Sequence, residues 1–541
     1  MKEGRDGVDL SQQGSAPVTG RAEGKGDGLR RSAVTGAFWA GAQTWMVRLS
    51  TLVAFVILGR LLSPVEFGVV ALAMTFISVM AVASDAGFSS WLIQRRGLTR
   101  EASSTAFWIS LLLGAALTGL LLITSRALSD VLNSAELRVI LPALSVTMVI
   151  AGASSVPAAL LRREMDFRTL ALRQVVATLI SVVVAVALAV AGAGVWALVA
   201  QHIVRVVVAG VILWAGSTFR PQWRFDAFQA REMIAYGVKS LGVHMGNALR
   251  DQGSNFLIGA VLGAASLGYW TVAKRLVDVV VDLCSSAVNS VAQPVFARLQ
   301  DQAERRSFVF GRVSGANCLI TAPAVVAVGL ASRDLVPLLF GDQWALSADV
   351  AAVLSIAVLF TTLVSPHRAL MLATDRAGTE LLLTALGIAG QAAVILLLAG
   401  RGLMTVAVGL AVWAVVQYPL RALVLRFSLG IALRAHRQLL AVLLATGLAS
   451  GAVTGTELLL ELDGLRRVAV VFIVGGLVYL PMVFLVARPT VADVASSIFG
   501  LIGRRRGRTT PSAVEPVSTA TPLLRTEPGD NASTSASRLV P

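Results

Sequence analysis

Apolar runs of about 20 residues recur along this chain, separated by short polar stretches rich in arginine. A helix of that length crosses the roughly 30 Å hydrocarbon layer of a bilayer. The pattern predicts fourteen spans: 34–59, 67–88, 104–124, 138–160, 173–192, 194–216, 237–262, 268–294, 310–330, 348–372, 379–399, 402–424, 438–456 and 467–487. The expected fold is therefore an all-α polytopic membrane protein with about 14 transmembrane helices. An outer-membrane barrel is excluded, because its strands show alternation in segments of about 10 residues.

Polar positions inside two of these spans carry the candidate chemistry. From Gly268 to Gln293 the side chains of Lys274, Arg275, Asp278, Asp282, Ser285, Ser286, Asn289 and Gln293 fall on one helical face, within an arc of roughly 120°. Span 237–262 bears a second stripe of Ser240, His244, Asn247, Asp251, Ser254 and Asn255, with Arg250 at its side. Each charge costs about 2.5–3.5 kcal/mol at mid-membrane on insertion scales, so such stripes must face protein or a wet cavity. Arg48, Asp251 and Asp282 stand at similar depth in their spans and are expected in one layer. Two readings of them stay open at this point. One is a buried ion-pair network that fixes helix register. The other is a cavity that binds an anion, with Arg48, Arg250, Lys274, Arg275, Asn247, Asn255, Asn289 and Gln293 as binding residues. In that reading Asp251, Asp278 and Asp282 are candidates for H+ or Na+ coupling or for ion pairs. Neither a metal site nor a cofactor is expected, since His202, His244 and His367 read as helix-contact residues.

Composition agrees with the pattern. The chain has 541 residues, 56% of them hydrophobic and 14% charged, with mean hydropathy +0.75, against about 25% charged in soluble proteins. The net charge of +15 does not indicate nucleic acid, because the basic residues lie in the loops between spans. Loops after even-numbered spans hold the arginine clusters, among them Arg162, Arg163 and Arg168. By the positive-inside bias both termini are expected in the cytoplasm. Residues 1–30 are polar and Gly-rich, so no cleavable signal peptide is expected. Cys284 and Cys318, both within spans, do not suggest a disulfide framework.

A weak internal repeat appears at an offset of 200, where GRLLSPVEFG (59–68) and GAVLGAASLG (259–268) share spaced glycines. Two six-helix halves around a central cavity are expected, with two further C-terminal helices. The corresponding boundaries are a disordered tail at 1–33, halves at 34–232 and 233–437, two added helices at 438–488, and a disordered tail at 489–541. Residues 218–232 and 426–437 look amphipathic and interfacial. No P-loop, G-x-S-x-G or H-E-x-x-H motif occurs, so a transporter is expected rather than an enzyme.

The chain resembles the Wzx-type, WzxC-like polysaccharide flippases of the multidrug/oligosaccharidyl-lipid/polysaccharide exporter superfamily. The resemblance rests on GRLLSPVEFG (59–68), DAGFSS (85–90) with LIQ (92–94), LRREMDF (161–167), GVWAL (194–198), FRPQWRF (219–225), LGYWTVA (267–273), PVFARLQ (294–300) and LLFGDQW (338–344). Trp270 stands where the family usually has tyrosine. The resemblance implies a flippase that moves undecaprenyl-diphosphate-linked oligosaccharide across the bacterial inner membrane by alternating access, without ATP. It implies glycan polymerase and glycosyltransferase partners, contact with membrane lipid, and no nucleic acid. It also implies that cations at Arg48, Lys274 and Arg275 hold the diphosphate, and that the last two spans form a groove for the lipid tail. A drug or ion antiporter of the same superfamily and a membrane glycan polymerase or ligase are the alternatives.

Overall fold

In a computed structural model the chain is helical almost throughout its described residues, which are 43–85, 87–95, 97–299, 302–460, 464–488 and 491. The expected tails at 1–33 and 489–541 lie outside the described residues, save Val491. The elements are α1 (Gln43–Leu61), α2 (Pro64–Asp85), α3 (Phe88–Gln94), α4 (Arg100–Val131), α5 (Leu137–Arg163), α6 (Phe167–Val190), α7 (Val195–Gly216) and α8 (Ala227–Ala297). They continue as α9 (Ala303–Phe340), α10 (Ala345–Leu363), α11 (Ser365–Ala373), α12 (Ala377–Leu398), α13 (Leu403–Leu429), α14 (Arg437–Leu460) and α15 (Gly464–Val486). No strand occurs among the described residues.

Among the described residues, thirteen helical stretches are long and apolar enough to cross a membrane. One of them, Ala227–Ser285, has 59 residues, which would span about 90 Å if straight. It is broken at Gly263, whose φ of 85° and ψ of 172° lie outside the helical region. A residue with a Cβ rarely adopts that φ, so glycine sets the fold-back. The stretch is therefore two crossings, the two arms of α8, and the crossings number fourteen as the apolar runs require. Span 348–372 is instead divided into α10 and α11, because Pro366 near the start of α11 has no amide to continue the ladder. Several helices outrun their apolar windows, as α4 does relative to 104–124. Hydropathy marks the hydrocarbon, whereas the helix continues into the polar interface.

The two repeated glycine frames meet in space. A Cβ on Gly68 would lie 1.7 Å from the Ala264 carbonyl oxygen, and a Cβ on Gly268 would lie 1.9 Å from that of Pro64. Positions 64 and 264, and 68 and 268, are each 200 apart, so the contact between α2 and the second arm of α8 is its own near-symmetric image. Only glycine permits backbones this close.

Four of the quoted motifs gather at the same end of the bundle. Trp344 Nε1 donates to the Gly59 carbonyl at 2.7 Å, and Gln343 Nε2 donates to Gly59 and Leu62 carbonyls at 3.1 and 3.2 Å. Trp344 also packs edge-on against Phe67 and Tyr269. Glu66 accepts from the Ser63 amide at 2.7 Å, a capping box that starts α2 with Pro64 at its first position. Glu66 also lies against Gly194.

Within the expected interfacial stretch 218–232, the segment 218–226 is not helical. Gln222 accepts from Trp108 at 2.9 Å through its carbonyl and donates its amide to Ser104 at 3.0 Å, while the Asp226 amide donates to Thr105. The connector thus lies along the first turns of α4, and Asp226 then caps α8 by accepting from Phe228 and Gln229 amides. At the C-terminal end, α14 and α15 pack on each other and on α9. Tyr479 donates to the Leu319 carbonyl at 2.8 Å.

Candidate functional site

The charged stripe of α8 meets α1. Arg48 Nη1 donates to the Asp282 carbonyl at 3.2 Å, and Nη2 lies 3.8 Å from its carboxylate. The side chains are 36% and 55% exposed, so solvent screens this pair. Lys274 is hydrogen-bonded to Asp278 one turn on. Arg275, partly buried beside them, has no ion-pair or hydrogen-bond partner among the described residues. Asp251 does not join Arg48 and Asp282. It accepts from its neighbour Arg250 at 3.0 Å. Sequence depth ranks residues along a helix but not around the bundle, which is why only two of the three expected partners meet.

The amides of the two stripes are placed differently from one another. Asn247 accepts from Arg368 at 3.4 Å. Asn255 accepts from Trp270 Nε1 at 3.1 Å and donates to Gln252, so it ties the two arms of α8 together. Gln293 is exposed, and the Asn289 side chain lies outside the described residues.

Two cavities gather further charges. The first, about 280 Å³, lies between the first arm of α8 and α10–α13, and is lined by Arg250, Arg368, Arg421, Glu380, Gln391 and Gln417 among others. Arg421 Nη1 donates to both oxygens of Glu380, at 3.0 and 2.9 Å, and the two side chains are 8% and 6% exposed. Thr384 also donates to Glu380 at 3.0 Å. The second cavity, about 420 Å³, lies between α2, α5, α6 and α7. Arg162, Arg173 and Arg205 line it with Asp85, Ser154, Ser155 and Gln174.

Sequence reading did not single out Arg173, Arg205, Arg368, Glu380 or Arg421. Each falls inside an expected span, and that was the available signal: a lone charge in an apolar run.

An apolar groove of about 250 Å³ runs between α9, α14 and α15, lined by Ala327, Ala449, Val471, Gly475 and Tyr479 among others. The small residues there leave room at the helix contact.

Residues 57–349 match the family described as polysaccharide biosynthesis protein. The chain belongs to that family. Every motif quoted for the Wzx-type resemblance lies within the matched stretch, as do Lys274, Arg275 and the second cavity's arginines. Glu380 and Arg421 lie beyond it. Two similar proteins are named for polysaccharide biosynthesis. The succinoglycan biosynthesis transport protein ExoT of Rhizobium meliloti (strain 1021) is 28% identical over 300 residues, 56% of this chain and 61% of ExoT. The lipopolysaccharide biosynthesis protein WzxC of Escherichia coli (strain K12) is 24% identical over 354 residues, 64% of this chain and 71% of WzxC. Among solved structures, lipid II flippase MurJ in an inward closed conformation aligns with a TM-score of 0.69. The alignment covers 83% of this chain and 99% of MurJ at 12% identity, a likeness of fold alone.

Proposed function

We propose that this membrane protein flips lipid-linked oligosaccharide, carried on undecaprenyl diphosphate, during surface polysaccharide synthesis. The observation that carries the reading is Arg275, a partly buried intramembrane cation without a carboxylate partner among the described residues, in a polysaccharide biosynthesis family member. A diphosphate–sugar head cannot enter hydrocarbon unaided. Arg275 offers it a charge-assisted hydrogen bond. Arg48 and Lys274 stand in partly exposed ion pairs with Asp282 and Asp278, which an incoming diphosphate can exchange for.

In this reading the halves 34–232 and 233–437 rock about the Gly68–Gly268 contact, which supports alternating access because it joins equivalent places in each half. Both termini are cytoplasmic and the membrane is the bacterial inner membrane. A coupling H+ or Na+ acts at Asp251, Asp278 or Asp282 by breaking the pair with Arg250, Lys274 or Arg48. The groove between α9, α14 and α15 takes the lipid tail, and polymerase and glycosyltransferases act on either side of the transport step. Asn247 and Asn255 have internal partners, so sugar contacts by them require those bonds to open.

The test is surface polysaccharide in cells whose only copy carries Arg48→Ala, or Lys274→Ala with Arg275→Ala. Loss of polysaccharide with normal membrane insertion is expected. Wild-type amounts in both variants would sink the reading.

A further inference from the structure

We propose that the cavity between α2, α5, α6 and α7 is a second anion site, which takes a carboxylate on the sugar part of the transported molecule. The inference rests on the flippase reading and narrows its substrate class to acidic glycans.

Three guanidinium groups, those of Arg162, Arg173 and Arg205, face one carboxylate, that of Asp85. Asp85 is engaged by Ser89, whose hydroxyl donates to Oδ1 at 2.6 Å. None of the three arginines has an ion pair among the described residues. The Arg205 side chain approaches an imidazole nitrogen of His202 at 3.0 Å. Two buried polar atoms on the cavity wall have no hydrogen-bond partner among the described residues, Arg173 Nε and Ser154 Oγ. A buried donor left unmade is costly, and a charged one more so. By contrast, Arg421 is neutralised within the chain by Glu380. The arginines of this cavity lack that counter-charge, and a ligand anion supplies it.

The chemistry of the walls narrows the ligand. Guanidinium groups meet carboxylates as a planar fork. Ser154, Ser155 and Gln174 add the hydroxyls and amide that bond ring hydroxyls. A volume near 420 Å³ is of small-molecule size, suited to a sugar residue rather than a long oligosaccharide. The lipid diphosphate offers anionic oxygens too, but every carrier-linked substrate has one, whereas only acidic glycans carry the carboxylate. The experiment separates the two.

Purified full-length chain is reconstituted in liposomes with two synthetic probes, undecaprenyl-diphosphate trisaccharides ending in glucuronate or in glucose. The readout is the ratio of their flipping rates. Arg173→Gln with Arg205→Gln is expected to lower the glucuronate-to-glucose ratio about tenfold, the worth of roughly one charge-assisted hydrogen bond. Arg173→Lys with Arg205→Lys, which keeps the charge but not the planar fork, is expected to restore only part of it. Arg162→Gln, at the exposed rim, gives the same test with a smaller drop if the double variant does not fold. An unchanged ratio overturns the proposal, whether both rates fall together, as for a diphosphate or lipid-headgroup site, or neither falls. A wild-type chain that moves neither probe refutes the flippase reading itself.

Discussion

Two charged cavities settle their charge differently. Between α8 and α10–α13, Arg421 is held by both oxygens of a buried Glu380, and Arg250 by Asp251. Between α2, α5, α6 and α7, three arginines face one carboxylate that Ser89 already engages. In the first, the Arg421–Glu380 pair ties α13 to α12, and the chain supplies counter-ions for Arg421 and Arg250. In the second it does not, so the charges are available to something else. Intramembrane arginine alone therefore says little about binding. Whether a carboxylate answers it within the chain says more.

The largest effect expected from this contrast is on stability. Arg421→Met strands Glu380 as a buried, unpaired carboxylate and should cost about 3–5 kcal/mol, whereas Arg421→Met with Glu380→Leu should recover most of that loss. Arg205→Met strands no carboxylate and should be close to neutral in the same thermal unfolding assay in detergent. Equal losses for Arg421→Met and Arg205→Met would erase the contrast.

A smaller loss is expected where the two repeats touch. Gly68→Val drives a side chain into the Ala264 carbonyl and Gly268→Val one into that of Pro64. Each should destabilise by about 1–3 kcal/mol, as overpacking does. Matching losses would show that the contact is shared by the repeats, and a loss in one alone would not.

Asp166 starts α6, which carries Arg173 into the second cavity, by accepting from the Thr169 amide at 3.1 Å and hydroxyl at 2.6 Å. Asp166→Ala should cost about 1 kcal/mol as a lost cap. The Thr169 hydroxyl and amide hold the Asp166 carboxyl below its ordinary range. The cap's contribution is therefore complete above the unfolded value of about 3.9 and is lost as pH falls through the lower folded value. Unfolding of wild type and Asp166→Ala across pH 2–6 should converge at the acid end.

A small stability effect is also expected in α1. Arg48→Ala removes a partly exposed pair and should change stability by less than about 1 kcal/mol. Its expected effect is on transport.

The spans were legible because hydrocarbon demands long apolar runs and tolerates little else. The fold-back of α8 was legible for the same reason, with Gly263 as the residue that allows it. The stripe on the second arm of α8 was legible because its polar residues share one helix. Arg173, Arg205 and Arg421 were not, because each cavity is assembled from single residues on several helices. No periodicity within one helix records that meeting. The Wzx-type motifs were legible as sequence, but their meaning is packing: 59–68, 194–198, 267–273 and 338–344 lock one end of the bundle together.

The central claim is that cations without an internal counter-charge do the binding. Its most direct test is the rate at which reconstituted Arg275→Ala flips an undecaprenyl-diphosphate-linked oligosaccharide, measured beside the wild type and beside unfolding temperature. A rate lowered about tenfold or more, as loss of a charge-assisted hydrogen bond requires, with unchanged unfolding temperature is the predicted result. A wild-type rate in Arg275→Ala would contradict it.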